Sequence, residues 1–112
     1  MRKLSEISGE EVFDFLAEIV EPVANLAESE PIKELFAKRE VPEGMTPGQF
    51  VTQRIKGNLP ALLRENRADI IAILAAASGC TPKEYEHDMT LPSFVHDASI
   101  LISDQDFMAF FS

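Results

Sequence analysis

Apolar residues recur along this chain every three or four positions, and glycine or proline interrupts them at short intervals. Val12, Phe13, Leu16, Ile19, Val20, Val23 and Leu26 form the first series, a spacing that places them on one side of a helix. Ser8-Gly9-Glu10-Glu11 precedes it and reads as a capping box, with the Ser8 hydroxyl accepting from the Glu11 backbone while the Glu11 carboxylate reaches back. Pro22 lacks a backbone donor, so the pattern predicts a kink there or a second helix with Pro22 in its first turn. Pro31 opens a short amphipathic piece through Ile32, Leu35 and Phe36. Residues 39–46, with Pro42, Gly44 and few apolar side chains, read as a loop.

Thr46-Pro47-Gly48-Gln49 then restarts a helix, with a capping residue, proline at the first position and glutamine three residues on. Its apolar face is Phe50, Val51, Ile55 and Leu59. Gly57 and Pro60 are expected to end or bend it, which leaves Leu62 and Leu63 on a following short segment. Asn66 is placed to cap a helix over 67–78, and Gly79 to stop it. Ile70, Ile71, Ile73, Leu74 and the alanines 75–77 leave that helix almost no polar face, so it is predicted to be the central one. Thr81-Pro82-Lys83-Glu84 repeats the capping signal. A last amphipathic helix runs through Leu91, Phe94, Val95, Ala98, Leu101 and Ile102. No segment alternates in the manner of a strand. The expected fold is all-α: a compact single-domain bundle of five to seven short helices. Acidic N-terminal helices fall in 8–38, central helices in 47–78 and C-terminal helices in 81–111.

With 112 residues, 46% of them hydrophobic, the chain can enclose one modest core. No apolar run reaches the roughly 18 residues that would span a bilayer. The N-terminus turns acidic before any apolar stretch, unlike a signal peptide. A lone cysteine, Cys80, fits a reducing cytoplasm. The net charge of −9 repels phosphate, which argues against nucleic acid and anionic membranes as partners. The charge is also divided. Residues 1–34 hold nine acids and three bases, residues 84–112 six acids and no base, while residues 35–83 hold seven bases and four acids. Opposite charges so arranged attract within one chain, the plainer reading, or between copies as a homo-oligomer.

Chemistry is hard to find in these residues. His87 and His96 lie nine apart, without the paired spacing of a zinc site, and read as surface histidines. Cys80 sits just ahead of a helix start, where a dipole can lower a thiol's pKa, but a helix-end structural residue is the simpler reading. Glu10-Glu11 and the Glu84/Glu86/Asp88 group read as solvated acids that favour helix N-termini. No glycine-rich phosphate loop occurs. Arg54, Lys56, Arg64 and Arg67 form the one positive cluster and read as solvated or protein-facing. Neither a catalytic residue, a cofactor nor a metal is expected. The ending differs from an ordinary frayed terminus: Phe107, Met108, Phe110 and Phe111 gather three aromatics and a thioether within six residues. Such a cluster either docks on the bundle, the plainer reading, or is covered by a partner, and these four residues are the candidate partner-binding site.

Three stretches taken together, KLSEISGEEVFDFLAEIVEPVANLAESEPIKELF, ALLRENRADIIAILAAASGCTPKEYEHDMT and LPSFVHDASILISDQDFMAFFS, cover nearly the whole chain. They resemble the small tail assembly chaperones of long-tailed phages and prophages of Gram-positive bacteria. The likeness lies in overall pattern: the acidic EPVANLAESE segment, the helix–Gly–Cys–Thr-Pro-Lys-Glu-Tyr step and the Phe-rich ending. It implies a cytoplasmic, non-enzymatic factor absent from the finished tail. Such a factor binds the tape measure protein, keeps it soluble and helps recruit tail tube protein. The family is also often made in a longer, frameshifted form, and a uridine-rich spelling of Phe110-Phe111 is compatible with that. The competing expectation is a small acidic phage or bacterial regulator that grips a host protein.

Overall fold

The least polar stretch of the chain becomes its centre. In the computed structural model, which describes residues 1–111, helix α4 (Arg67–Ser78) buries Ile73, Leu74, Ala75 and Ala77 at 1% exposure or less. Along it lies α1 (Glu11–Glu28), which buries Phe15, Ile19, Pro22, Val23 and Leu26. Around this pair stand α2 (Glu30–Phe36), α3 (Pro47–Glu65), α5 (Pro82–Asp88), α6 (Leu91–Ser103) and the single turn α7 (Gln105–Met108). Short 3₁₀ turns occupy Leu4–Glu6 and Ala109–Phe111, and the described residues contain no strand. The fold is the all-α single-domain bundle expected, with seven α-helices among the described residues.

Local chemistry sets most of the helix ends. Thr46 accepts from the Gln49 backbone at 3.1 Å while the Gln49 side chain accepts from the Thr46 backbone at 3.0 Å. Thr81 and Glu84 make the same reciprocal pair. A third box, Thr90 with Ser93, starts α6, and Ser29 caps α2. Gly79, at φ +76°, ends α4 with its own N–H on the Ala76 carbonyl and that of Cys80 on Ala75, a left-handed cap that suits a residue without Cβ.

Several helix boundaries depart from the sequence pattern. The Ser8–Glu11 box does not form: Gly9 takes φ +66°, α1 begins only at Glu11, and its N-cap, Glu10, makes no side-chain bond. Glu11 instead pairs with Arg2 at 2.9 Å. The rest of Arg2 serves the end of α4, its backbone N–H and Nε both donating to the Ala77 carbonyl at 3.2 Å. A guanidinium there meets the negative end of the helix dipole. α1 runs unbroken through Pro22, and α3 through Gly57 and Pro60, so Leu62 and Leu63 belong to α3 itself. Each proline removes one bond to the carbonyl four residues back, from Glu18 and Lys56, and both of these residues are exposed. Asn66 does precede α4, but its side chain donates to Asp69 at 3.2 Å and caps nothing.

The molecule measures 51 × 27 × 21 Å, with a radius of gyration of 15.2 Å, against about 13 Å for a folded chain of this length. α3 packs on α2 and on α4, yet only its Leu62 is buried.

Candidate protein-binding surface

The aromatic end folds back on the bundle. Asp104 organises it: one carboxylate oxygen accepts from the backbones of Asp106 and Phe107, and the other accepts from Leu4 at 2.9 Å. Phe107 enters the core at 6% exposure. The Phe111 ring packs edge-on against it at 5.3 Å and stacks on Phe36 at 5.8 Å with the planes 2° apart. Met108 is half-buried against the same core. Of the four candidate partner-binding residues, only Phe110 stays outside at 44% exposure, beside Phe107 at 6.3 Å. Phe107, Met108 and Phe111 therefore hold this segment on α2 and the core, with Phe107 buried and Met108 and Phe111 partly exposed.

Larger apolar surface lies elsewhere, on three helix faces. At 3.6 residues per turn, the apolar positions of α1 span an arc of about 200°, of which α4 and its neighbours cover about half. The uncovered part carries Phe13, at 79% exposure, with Leu16 and Val20 in line. Ala24 and Ala27 continue that stripe, and Asp14, Glu21 and Glu28 border it. On α3, Val51, Ile55, Leu59 and Leu63 are all exposed and follow one another at four-residue steps. On α6, exposed Leu91, Val95 and Ile102 flank half-buried Ala98 within a sector of about 60°. The sequence pattern placed each series on an apolar face but not on an uncovered one. The available signal was the width of the α1 arc, broader than one neighbouring helix can cover.

The basic cluster is divided in use. Arg54 donates to the carbonyls of Glu34 and Ala37 and lies over the Phe50 ring, tying α3 to α2. Arg67 pairs with Glu86 on α5. Lys56 and Arg64 stand exposed on α3.

Polar chemistry is sparse. A groove of about 610 Å³ between α1 and the α4–α5 connection is lined by Arg2, Glu11, Asp14, Glu18, Cys80 and Glu84, among others. Burial pushes the Cys80 thiol up from its ordinary range, and the Glu84 and Asp88 carboxylates push it further, outweighing the opposing N-terminal ammonium. That is the reverse of the activation a helix start can give. The Tyr85 hydroxyl donates to Asp97 at 2.6 Å, and its pKa is raised by burial and then by that bond. His87 and His96 are exposed. The described residues contain no group of three or more His, Cys, Asp or Glu side chains suited to a metal ion, and no helix long and apolar enough to cross a membrane.

No protein-family model, curated protein or solved structure matches this chain.

The accessible area is 7688 Å², against roughly 6,100 Å² for a folded monomer of this mass.

Proposed function

We propose that this chain is a protein-binding assembly factor of the phage tail chaperone type. It would cover apolar helical surface on the tape measure protein, keep that client in solution and help recruit tail tube protein. The carrying observation is the set of uncovered apolar stripes on α1, α3 and α6 of a chain with net charge −9. Apolar patches of this extent mark interaction sites, and the surrounding acids keep a coated complex soluble through mutual repulsion. The raised Cys80 thiol and the scattered histidines offer no counter-reading as a nucleophile–base pair. The test is a tagged pull-down from cells expressing the genes that flank its own, with mass spectrometry of the co-purified chains. Recovery of a very long helical protein or of tail tube subunits is expected. Recovery of a host enzyme or polymerase in their place would overturn the chaperone reading in favour of the acidic regulator.

A further inference from the structure

The groove of about 610 Å³ between α1 and the α4–α5 connection has an apolar floor and an acidic edge. Phe15, Ala72, Ala76 and Pro82 make the floor. Glu11, Asp14 and Glu18 follow one another at three- and four-residue steps of α1, so their side chains start about 6 Å apart along one line. Glu84 lies on the α5 side. One cation already occupies an end of this groove. Arg2 donates to the Glu11 carboxylate at 2.9 Å and, through Nε, to the Ala77 carbonyl at the negative end of α4. Asp14 and Glu18 are left with no ion-pair partner among the described residues, and the Glu84 carboxylate accepts only from the Thr81 backbone. At 100° per residue, the three acids of α1 stand nearly opposite the Phe13, Leu16 and Val20 stripe.

We propose that this groove binds a basic segment of another protein, a helical peptide presenting two arginine or lysine side chains one turn apart. Their aliphatic stems lie on the floor, and their charged heads meet Asp14 and Glu18, with Glu84 across from them. Arg2 shows the chemistry within the chain itself: a guanidinium held between a carboxylate and the carbonyls that end α4. Charge selects this occupant over others. An uncharged apolar segment would cover Asp14 and Glu18 without pairing them, and a buried, unpaired carboxylate is costly. A phosphate-bearing partner is repelled by the same acids and by the net charge of −9, which draws a cationic segment in. A free polyamine has the charges but no apolar side chains to cover the floor. The contact uses none of the exposed apolar stripes and does not rest on the chaperone reading.

Fluorescence anisotropy on the full chain tests it. The probe is a labelled, alanine-rich helical peptide carrying two arginines four residues apart, compared with versions bearing two glutamines or two glutamates there. The arginine peptide is expected to bind, less tightly as salt is raised, and the other two are not. Asp14→Asn combined with Glu18→Gln should weaken binding about tenfold, the effect of losing two partly exposed ion pairs. Glu40→Gln combined with Glu43→Gln removes the same charge from exposed positions outside the groove, and should leave binding within about twofold. Ala72→Leu fills the floor without touching a charge and should also weaken binding, with far-UV circular dichroism confirming retained helix. Equal losses in the two double variants would reduce the effect to net charge and overturn the proposal. An arginine peptide that does not bind, or a glutamine peptide that binds as well, would do the same. Binding untouched by Ala72→Leu would put the peptide outside the groove and sink the idea. Spermidine binding as tightly as the arginine peptide would assign the site to a free polyamine instead.

Discussion

Tyr85 joins α5 to α6 through a 2.6 Å hydrogen bond to Asp97, and its burial makes the hydroxyl hold its proton more tightly in the folded chain than in the unfolded one. A group whose pKa is raised on folding stabilises fully below its ordinary value, about 10 for tyrosine. That contribution fades as pH rises above it. Tyr85→Phe is expected to lose about 1.5–3 kcal/mol at neutral pH, the range for a hydrogen bond to a charged partner. The gap to wild type should narrow in strongly alkaline solution, as urea unfolding at several pH values would read. Gly79 gives a second test. At φ +76° a Cβ is strained although the space beside it is open except for the Arg2 guanidinium at 3.8 Å, so Gly79→Ala should cost about 1 kcal/mol with the fold unchanged. The role of Gly79 was legible from an apolar run ending in glycine. The role of Arg2 was not, since its partners at 76 and 77 lie far away in sequence.

At the scale of elements, the capping signals at Thr46 and Thr81 were read correctly because the whole device lies within four consecutive residues. Ser8–Glu11 has the same letters and fails, because Glu11 is claimed by Arg2 and Gly9 by a left-handed turn. At the prolines the sequence offered a bend or a break, and the structure has no break. Propensity alone makes an interior proline a helix end, but packing on both flanks carries α1 and α3 across theirs. α3 therefore contains a removable defect. Pro60→Ala should restore the bond to the Lys56 carbonyl and raise stability by about 1–2 kcal/mol, after allowing for the looser unfolded chain. A thermal melt with a lower midpoint than wild type would show that Pro60 does more in the fold than interrupt α3.

For the whole molecule, the Phe-rich ending takes the plainer of its two expected places and docks on the bundle, while the helix faces keep apolar surface outside. A chain stopped at Asp106 loses Phe107 from the core as well as Phe111 from Phe36, so it is expected to lose about 3–5 kcal/mol, the range for deleting a buried phenylalanine. Truncation therefore cannot isolate a binding role for the terminus. Phe110→Ser, at the exposed member of the group, should change stability by no more than about 0.5 kcal/mol. It would report a contribution of that ring to partner binding directly in a pull-down. A large stability loss in Phe110→Ser would mean that Phe110, too, belongs to the docked cluster.

The sequence by itself determined the all-helical fold, the stop at Gly79, the caps at Thr46 and Thr81, and the central place of α4. Each depends on residues within one or two turns of each other, or on a segment with no polar side to expose. The tertiary structure decided which apolar residues are covered. Periodicity gives each helix an apolar arc, but the number and direction of its neighbours settle how much of that arc goes inside. Thus Phe13, Leu91 and Ile55 remain wet while Phe107, near the end of the chain, is buried. The division of the acids and bases was visible in the residue order. That two oppositely charged, similarly long helices both keep an apolar stripe outside followed only from their packing.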